Sequence, residues 1–170
     1  MMSTTQFTIR RAEPSDVEAM HRIYSMPGVI RGTLQLPYPS VENWRKRIAE
    51  PPDGTFNLLV CAGNEVIGQL GLHTFPHHPR RRHVGQIGMA VRDDWQGKGA
   101  GSALMQAMID LADQWLNLSR IELEVYTDNE SAIHLYKKFG FAIEGTHPRF
   151  AFREGEFVDV YAMARLKQNL

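Results

Sequence analysis

Short apolar runs, several of them alternating with polar residues, recur along the chain. A two-residue period is typical of β-strands that bury one face, and uniformly apolar runs are typical of strands buried on both faces. Gly63 and Asn64 lie between two such runs, which predicts a hairpin. The pattern as a whole predicts strands at residues 7–9, 56–61, 65–72, 84–91, 121–126, 141–146 and 157–166.

Other segments place apolar residues three or four positions apart, which is the spacing of an amphipathic helix. They predict helices at residues 14–25, 40–49, 99–116 and 127–140. The helix at 99–116 has a broad apolar face, so we expect it to pack against a sheet. Thr127 and Glu130 have the spacing of a capping box, and Gly140 marks the end of the last helix.

Two proline-containing segments, residues 33–39 and 75–83, are predicted as loops. The second is rich in arginine and histidine, and a contact with the acidic groups of a ligand is the alternative to a simple solvated loop.

Length and charge limit the classes of protein that this chain could be. Its 170 residues fit a single domain, residues 1–170, with one core of ordinary size. Nineteen basic residues balance nineteen acidic ones, so no net charge attracts the chain to nucleic acid or to an anionic membrane. No apolar run approaches the roughly 20 residues that span a bilayer, and the first six residues lack the pattern of a signal peptide. These features predict a cytoplasmic protein without nucleic-acid or membrane partners.

Cysteine and histidine give no sign of a metal site. Cys61 is the only cysteine and lies in an apolar run, so we expect a buried thiol in a strand. The seven histidines show no zinc-type spacing with cysteine or glutamate, and no metal is predicted.

The most informative segment is Gln96-Gly97-Lys98-Gly99-Ala100-Gly101, between the predicted strand 84–91 and the longest predicted helix. Its glycines remove the Cβ atoms that would keep a ligand from the main chain, and they allow the positive φ angles that turn successive N–H groups into one concavity. The helix that follows adds unpaired N–H groups and the positive end of its dipole. We therefore predict that the segment holds the diphosphate of a coenzyme.

Two well-known phosphate-binding patterns do not fit this segment. The P-loop requires Ser or Thr after Gly-Lys, but Gly99 follows Lys98. The dinucleotide pattern requires a third glycine where Ser102 stands, although Glu122 has the distance of its acidic residue. The polar residues 92–95 also separate the strand from the glycines.

A second motif follows about 30 residues further along, Asn129-x-x-Ala132-x-x-x-Tyr136-Lys137-Lys138-x-Gly140-Phe141. Asn129, Ala132 and Tyr136 share one side of a helix. The Asn129 amide suits an amide-rich ligand such as pantetheine, and Tyr136 brings a phenol to the same face. Alternatively, Asn129 caps the helix and Tyr136 packs in the core.

The two motifs in this order resemble the GNAT superfamily of N-acetyltransferases, most clearly over residues 84–141. Within it, residues 33–37, 120–123 and 155–159 are similar to the bacterial L-amino-acid N-acetyltransferases. The resemblance implies a mixed α/β (α+β) fold, with a mostly antiparallel central sheet splayed around the coenzyme and helices on both faces. It also implies acetyl-CoA as co-substrate, direct attack by an amine, and a homodimer.

The resemblance further implies which residues contact the coenzyme. These are Met89, Ala90, Val91, Gln96, Gly97, Lys98, Gly99, Ala100, Gly101, Ser102, Asn129 and Lys138.

For catalysis, the resemblance implies that Tyr136 protonates the leaving thiolate. The base is less clear, because residues 85–88, where many relatives carry an acidic residue, contain none. We select Glu122, and Glu124, His73 and His147 remain alternatives. A weak base suits an α-amine, which titrates near 8, better than a lysine amine near 10.4, a difference of about 3 kcal/mol in deprotonation.

The acceptor is expected opposite the coenzyme, where Leu36, Tyr38 and Phe150 are apolar candidates for its pocket. They would suit a hydrophobic or aromatic amino acid. Acetylation of a protein or peptide, and a non-catalytic acyl-CoA sensor, are the alternative functions. The acceptor, the base, the oligomeric state and the use of other acyl chains remain open.

Overall fold

The computed structural model describes residues 6–168, which form one seven-stranded sheet with helices. The strands are β1 (Phe7–Arg11), β2 (Thr55–Ala62), β3 (Glu65–Thr74), β4 (Val84–Val91), β5 (Arg120–Tyr126), β6 (Ala142–Arg153) and β7 (Glu156–Leu166). The α-helices are α1 (Val17–Tyr24), α2 (Pro27–Gly32), α3 (Val41–Ala49), α4 (Ala100–Gln114) and α5 (Glu130–Lys138). The predicted domain also includes residues 1–5 and 169–170, which lie outside the described range.

The strand order in the sheet is β1-β2-β3-β4-β5-β7-β6. Every neighbouring pair is antiparallel except β4 and β5, which are parallel. The prediction of a mixed α/β fold with a mostly antiparallel sheet is therefore confirmed.

The parallel pair is joined only at its beginning. The register runs from Val84 opposite Arg120 to Gln86 opposite Glu122, and no further pair follows. The second halves of β4 and β5 therefore separate, and because both strands run in the same direction they leave an opening between their C-terminal ends. This opening is the predicted splay of the sheet.

Helices cover both faces of the sheet because the side chains of each strand alternate between them. On β2, Leu58 and Val60 pack into a core with α4, whereas Leu59 and Cys61 pack against α1 and α3. Cys61 is buried, as predicted. A fully buried aliphatic side chain contributes about 1.5–3 kcal/mol, so these two layers hold the helices that flank the opening.

Three local predictions were wrong. Helix α2 was missed, because Pro27 and Gly28 suggest a break, whereas proline is well tolerated in the first turn of a helix. Asn129, not Thr127, caps α5, and its Oδ1 accepts from the Ala132 N–H at 3.3 Å. Strand β6 continues to Arg153 through a bulge between His147 and Ala151, where the sequence suggests an end.

Among the described residues, no helix has the length and apolar character needed to cross a membrane.

Candidate active site

A cavity of about 1080 Å³ opens where β4 and β5 separate. Its first half lies against the end of β4, the glycine segment and α5, and we call it the coenzyme half. Its second half lies against α1, α2, α3 and the polar face of β2 and β3, and we call it the acceptor half. The two halves meet beside Met89, Glu124 and Tyr136, which all line the cavity.

The glycine segment shapes one end of the coenzyme half. Gly97 and Gly99 have φ angles of +72° and +94°, a region that glycine enters without the cost other residues pay. Gly99 is the N-cap of α4, and within residues 6–168 no side chain caps this helix. The first N–H groups of α4 are thus left for a ligand, as the anion site requires.

The other side chains of the segment hold the loop rather than fill the cavity. Arg92 is buried and pairs with Glu65 and with Asp94, the latter at 2.6 Å. Lys98 Nζ donates to the Asp94 carbonyl at 2.9 Å and lies 5.0 Å from the centre of the Trp95 ring. These contacts hold the loop, and Gly97, Gly99 and Gly101, which have no side chain, line the cavity with their main chain.

Most of the predicted coenzyme contacts come together here. The cavity is lined by Met89, Ala90, Val91, Gln96, Gly97, Gly99, Gly101, Ser102, Asn129 and Lys138. Lys98 and Ala100 do not line it, because Lys98 folds back onto Trp95 and Ala100 is buried. Asn129 combines both interpretations offered for it, since it caps α5 and faces the cavity. Lys138 Nζ donates to Ser102 Oγ at 3.4 Å and so adds a positive charge at the start of α4.

Tyr136 presents a phenol to the junction of the two halves. Its ring is 7% exposed and packs 5.9 Å from the Phe141 ring. Burial raises the pKa of Tyr136 to about 12, because the charged phenolate would lose its hydration. The phenol therefore stays protonated near neutral pH and can donate to a developing anion.

Two glutamates share one face of β5 but differ in their surroundings. Glu122 does not line the cavity, and its carboxylate accepts from Arg120 Nε at 2.8 Å and from Arg81 Nη2 at 3.0 Å. Glu124 lines the cavity and accepts from Gln86 Nε2 at 3.3 Å. The difference arises because Glu122 lies in the last paired position of β4 and β5, and Glu124 lies beyond it. Its position outside the cavity and its ion pairs with Arg120 and Arg81 both argue against Glu122 as the base.

The histidine alternatives are placed differently. His73 lines the cavity, where its Nδ1 lies 3.2 Å from Thr55 Oγ1, and burial lowers its pKa. It is on β3, opposite Gln86, and so one strand away from the opening. His147 is not part of the lining, and no residue of the basic segment 75–83 is part of it either.

The acceptor half contains a polar row that the sequence-based interpretation missed. The Tyr24 ring stacks on Trp44 with 4.4 Å between centres, and its hydroxyl donates to Gln69 Oε1. Gln69 Nε2 in turn donates to Asn57 Oδ1 at 3.1 Å. Burial raises the pKa of Tyr24, so this hydroxyl remains a donor. The available signal was Gln69 itself, a polar residue within the apolar run 66–72.

Of the predicted acceptor residues, only Phe150 lines the cavity. Leu36 and Tyr38 are 79% and 98% exposed and lie outside the lining, so their role in binding the acceptor stays a prediction. The start of the same loop is held at the cavity because Tyr126 Oη donates to the Thr33 carbonyl at 3.1 Å. Leu34, next to Thr33, lines the cavity.

Within residues 6–168, no group of three or more histidine, cysteine, aspartate or glutamate side chains is arranged to hold a metal ion.

An open strand edge, uncapped amides at a helix N-terminus, and a protonated phenol and a carboxylate that line the same cavity are the features of a coenzyme A-dependent acyltransferase. A family model described as the acetyltransferase (GNAT) family matches residues 17–141. The chain belongs to this family, whose members use acetyl-CoA, and the protein is an acetyltransferase.

Individual relatives agree with this assignment. The L-amino acid N-acetyltransferase AaaT of Escherichia coli K12 is 45% identical over 163 residues, covering 96% of this chain and 99% of that protein. The spermidine N(1)-acetyltransferase of the same strain is 27% identical over 96% of this chain and 87% of its own length. The crystal structure of the Vibrio cholerae spermidine N-acetyltransferase in complex with CoA and spermine is similar with a TM-score of 0.82, at 26% identity and 95% coverage of both chains.

Proposed function

We propose that this protein transfers the acetyl group of acetyl-CoA to the α-amine of a free amino acid. The observation that carries the proposal is that Glu124 and Tyr136 line one cavity at the place where β4 and β5 separate. A base and an acid are thus available on the two sides of a single reacting centre. The 45% identity to an L-amino acid N-acetyltransferase supports the class of acceptor.

The coenzyme half has the groups that acetyl-CoA requires. The edge of β4 at residues 89–91 is not paired with β5 and offers main-chain groups to the amides of the pantetheine arm, in the manner of an added strand, and the Val91 carbonyl at its end also accepts from Gln96 Nε2 at 3.2 Å. The main chain from Gln96 to Ser102 suits the diphosphate, and Lys138 adds a positive charge beside it. Acetyl-CoA supplies a thioester, whose carbonyl would lie near Met89.

Three groups of the chain then divide the chemistry. Glu124 accepts a proton from the ammonium group of the acceptor, directly or through water. A main-chain N–H near Met89 or Ala90 stabilises the negative charge that develops on the carbonyl oxygen. Tyr136 donates its proton toward the sulfur as the thiolate leaves. The amine attacks directly, so no acyl group is passed to the enzyme.

The acceptor half favours an apolar side chain on the amino acid. Val29, Leu34 and Phe150 supply apolar surface to its lining, whereas Tyr24 and Gln69 supply hydrogen-bonding groups at its floor. A hydrophobic or aromatic amino acid would bury its side chain against the first set.

A panel of amines tests the proposal. Release of free thiol from acetyl-CoA is measured with phenylalanine, methionine, a lysine peptide and spermidine as acceptors. We expect turnover of the amino acids. Acetylated peptide with inert amino acids would instead indicate a protein N-acetyltransferase. Absence of turnover with every amine, combined with tight coenzyme binding, would indicate an acyl-CoA sensor.

We further propose that residues 1–170 form a single cytoplasmic N-acetyltransferase domain that assembles as a homodimer. A cytoplasmic location is supported by the requirement for acetyl-CoA, and the dimer is supported by resemblance to the family. Light scattering of the purified protein measures the second property directly.

A further inference from the structure

The acceptor half contains an arginine that pairs with no carboxylate of residues 6–168. Arg47 on α3 lines the cavity, and it forms no ion pair with a carboxylate of residues 6–168. Arg45 on the same helix differs, because it pairs with Glu42 and does not line the cavity. A cation kept unpaired at the wall of a substrate cavity is available to an anionic group of the substrate.

The Arg47 guanidinium is held in place by an aromatic stack. Its Cζ lies 4.9 Å from the centre of the Trp44 ring, and Trp44 stacks on Tyr24. Its contact with Gln35 Oε1 is long, at 3.5 Å, so most of the N–H donors of the guanidinium remain free. Stacking on an aromatic face orients the planar group without consuming these donors.

The charge of Arg47 is also felt at the floor of the acceptor half. Burial raises the pKa of Tyr24, and the positive charge of Arg47 acts on that pKa in the opposite direction. Lys46 lines the cavity as well, but no aromatic ring among the described residues orients it. Arg47 is therefore the better candidate for a directional contact.

We infer that Arg47 binds the α-carboxylate of the amino-acid acceptor through two parallel N–H donors. The inference rests on the proposed function. A guanidinium matches a carboxylate in a bidentate geometry that an ammonium group does not provide. Because one carbon joins the carboxylate to the amine, anchoring the first group also orients the second for attack. Arg47 would thus select free amino acids over amines that lack a carboxylate.

Pairs of acceptors that differ only in the carboxylate test this role. Values of kcat/KM are measured for L-phenylalanine and L-phenylalaninamide, and for L-methionine and L-methioninamide, with wild type, Arg47→Gln, Lys46→Gln and Arg45→Gln. We expect Arg47→Gln to lower kcat/KM for the acids by about 10- to 100-fold relative to the amides, as for the loss of a hydrogen-bonded charge. An acid and its amide differ in the basicity of their amines. This difference cancels because the acid-to-amide ratio of kcat/KM in each variant is compared with the same ratio in wild type.

Arg47→Lys keeps the positive charge but lacks the two parallel N–H donors of the guanidinium, and we expect it to retain only part of the preference for acids over amides. Arg45→Gln should leave the acid-to-amide ratio unchanged, and the KM for acetyl-CoA should stay constant in Arg47→Gln. An equal loss for acid and amide would overturn the inference, as would a selective loss that appears in Lys46→Gln instead. Wild-type turnover of acids and amides with equal efficiency would overturn the inference and leave the proposed function in place. Failure of wild type to acetylate any of the four compounds would overturn both.

Discussion

Replacing Glu124 and Glu122 separately by glutamine distinguishes a base from a structural carboxylate. Both side chains lie on the same face of β5, two residues apart, and glutamine preserves their shape. Only Glu124 lines the cavity. We therefore expect Glu124→Gln to lower kcat and Glu122→Gln to leave kcat unchanged.

The expected loss for Glu124→Gln follows from the role of a base. General bases contribute about 10²- to 10⁴-fold, and the lower figure applies because an α-amine is only weakly basic. An α-ammonium group is mostly protonated at pH 7, and its deprotonated fraction rises about tenfold for each pH unit until the pH reaches the pKa. The variant should therefore recover up to about tenfold of its loss as the pH rises, since the free amine no longer needs the carboxylate.

Glu122→Gln should instead affect stability. The mutation removes the pairs with Arg120 and Arg81, whose side chains are 27% and 48% exposed. Arg120 keeps its second partner, Glu144. Partly exposed pairs of this kind contribute up to about 1 kcal/mol, which corresponds to a decrease of about 3 °C in the melting temperature.

The assay is steady-state release of free thiol between about pH 7 and pH 9, together with thermal unfolding of both variants. Equal losses of kcat in the two variants would refute Glu124 as the base, because Glu122 and Glu124 lie on the same strand but only Glu124 lines the cavity. A loss in Glu124→Gln that stays constant with pH would also refute it, since deprotonation of the acceptor would then not be the missing step.

Three further predictions follow from individual contacts. Tyr136→Phe should lower kcat by about 10²-fold with little change in coenzyme affinity. Because burial raises the pKa of Tyr136 to about 12, wild-type kcat should not decline up to about pH 10. A decline with a midpoint near 8 would contradict the role of Tyr136 as the acid. Gly99→Ala and Gly155→Ala force φ angles of +94° and +87° on alanine, so each should reduce the free energy of unfolding by about 1–2 kcal/mol. Only Gly99→Ala should also raise the KM for acetyl-CoA, by about tenfold, because Gly155 lies in a turn remote from the glycine segment. Asp16→Asn should reduce the free energy of unfolding by about 2 kcal/mol at pH 7. The hydrogen bond from Arg10 lowers the pKa of Asp16, so this stabilisation is present above about pH 4 and is lost as the pH falls through the lowered pKa. Urea titrations of wild type and variant at pH 7 and in acid below that pKa should show that their difference in unfolding free energy disappears in acid.

The coenzyme half could be predicted because its determinants are local in sequence. The glycines, the helix that follows them and the preceding strand lie within one continuous segment, and their chemistry depends on the backbone of that segment. Asn129 and Tyr136 were predicted in the same way, from spacing along a single helix, and both line the cavity. Lys98 and Ala100 show the limit of such reasoning, because a motif does not reveal which of its side chains fold back.

The carboxylate that we propose as the base could not be chosen from sequence for a geometric reason. Alternation along β5 places Glu122 and Glu124 on the same face, so the pattern treats them as equivalent. What separates them is the position at which β4 and β5 stop pairing, and this depends on two strands that are about 30 residues apart. The exposure of Leu36 and Tyr38 could not be read from the sequence either, because the start of their loop is held by a hydrogen bond from the distant Tyr126 to the Thr33 carbonyl.

The acceptor half explains how one fold can serve different amines. The Vibrio cholerae spermidine N-acetyltransferase has a similar fold with a TM-score of 0.82, so the sheet and its opening do not by themselves define the acceptor. In this chain the wall of the acceptor half comes from helices α1 to α3 and the loop after α2, whereas the coenzyme half is formed by the end of β4, the glycine segment and α5. Arg47 in that wall forms no ion pair within residues 6–168, and in the role we infer for it this charge would attract an anionic group and repel a polyamine, which is the charge difference between an amino acid and spermidine. Selectivity would thus reside in a few side chains on short helices, while the chemistry stays with the two strands that separate.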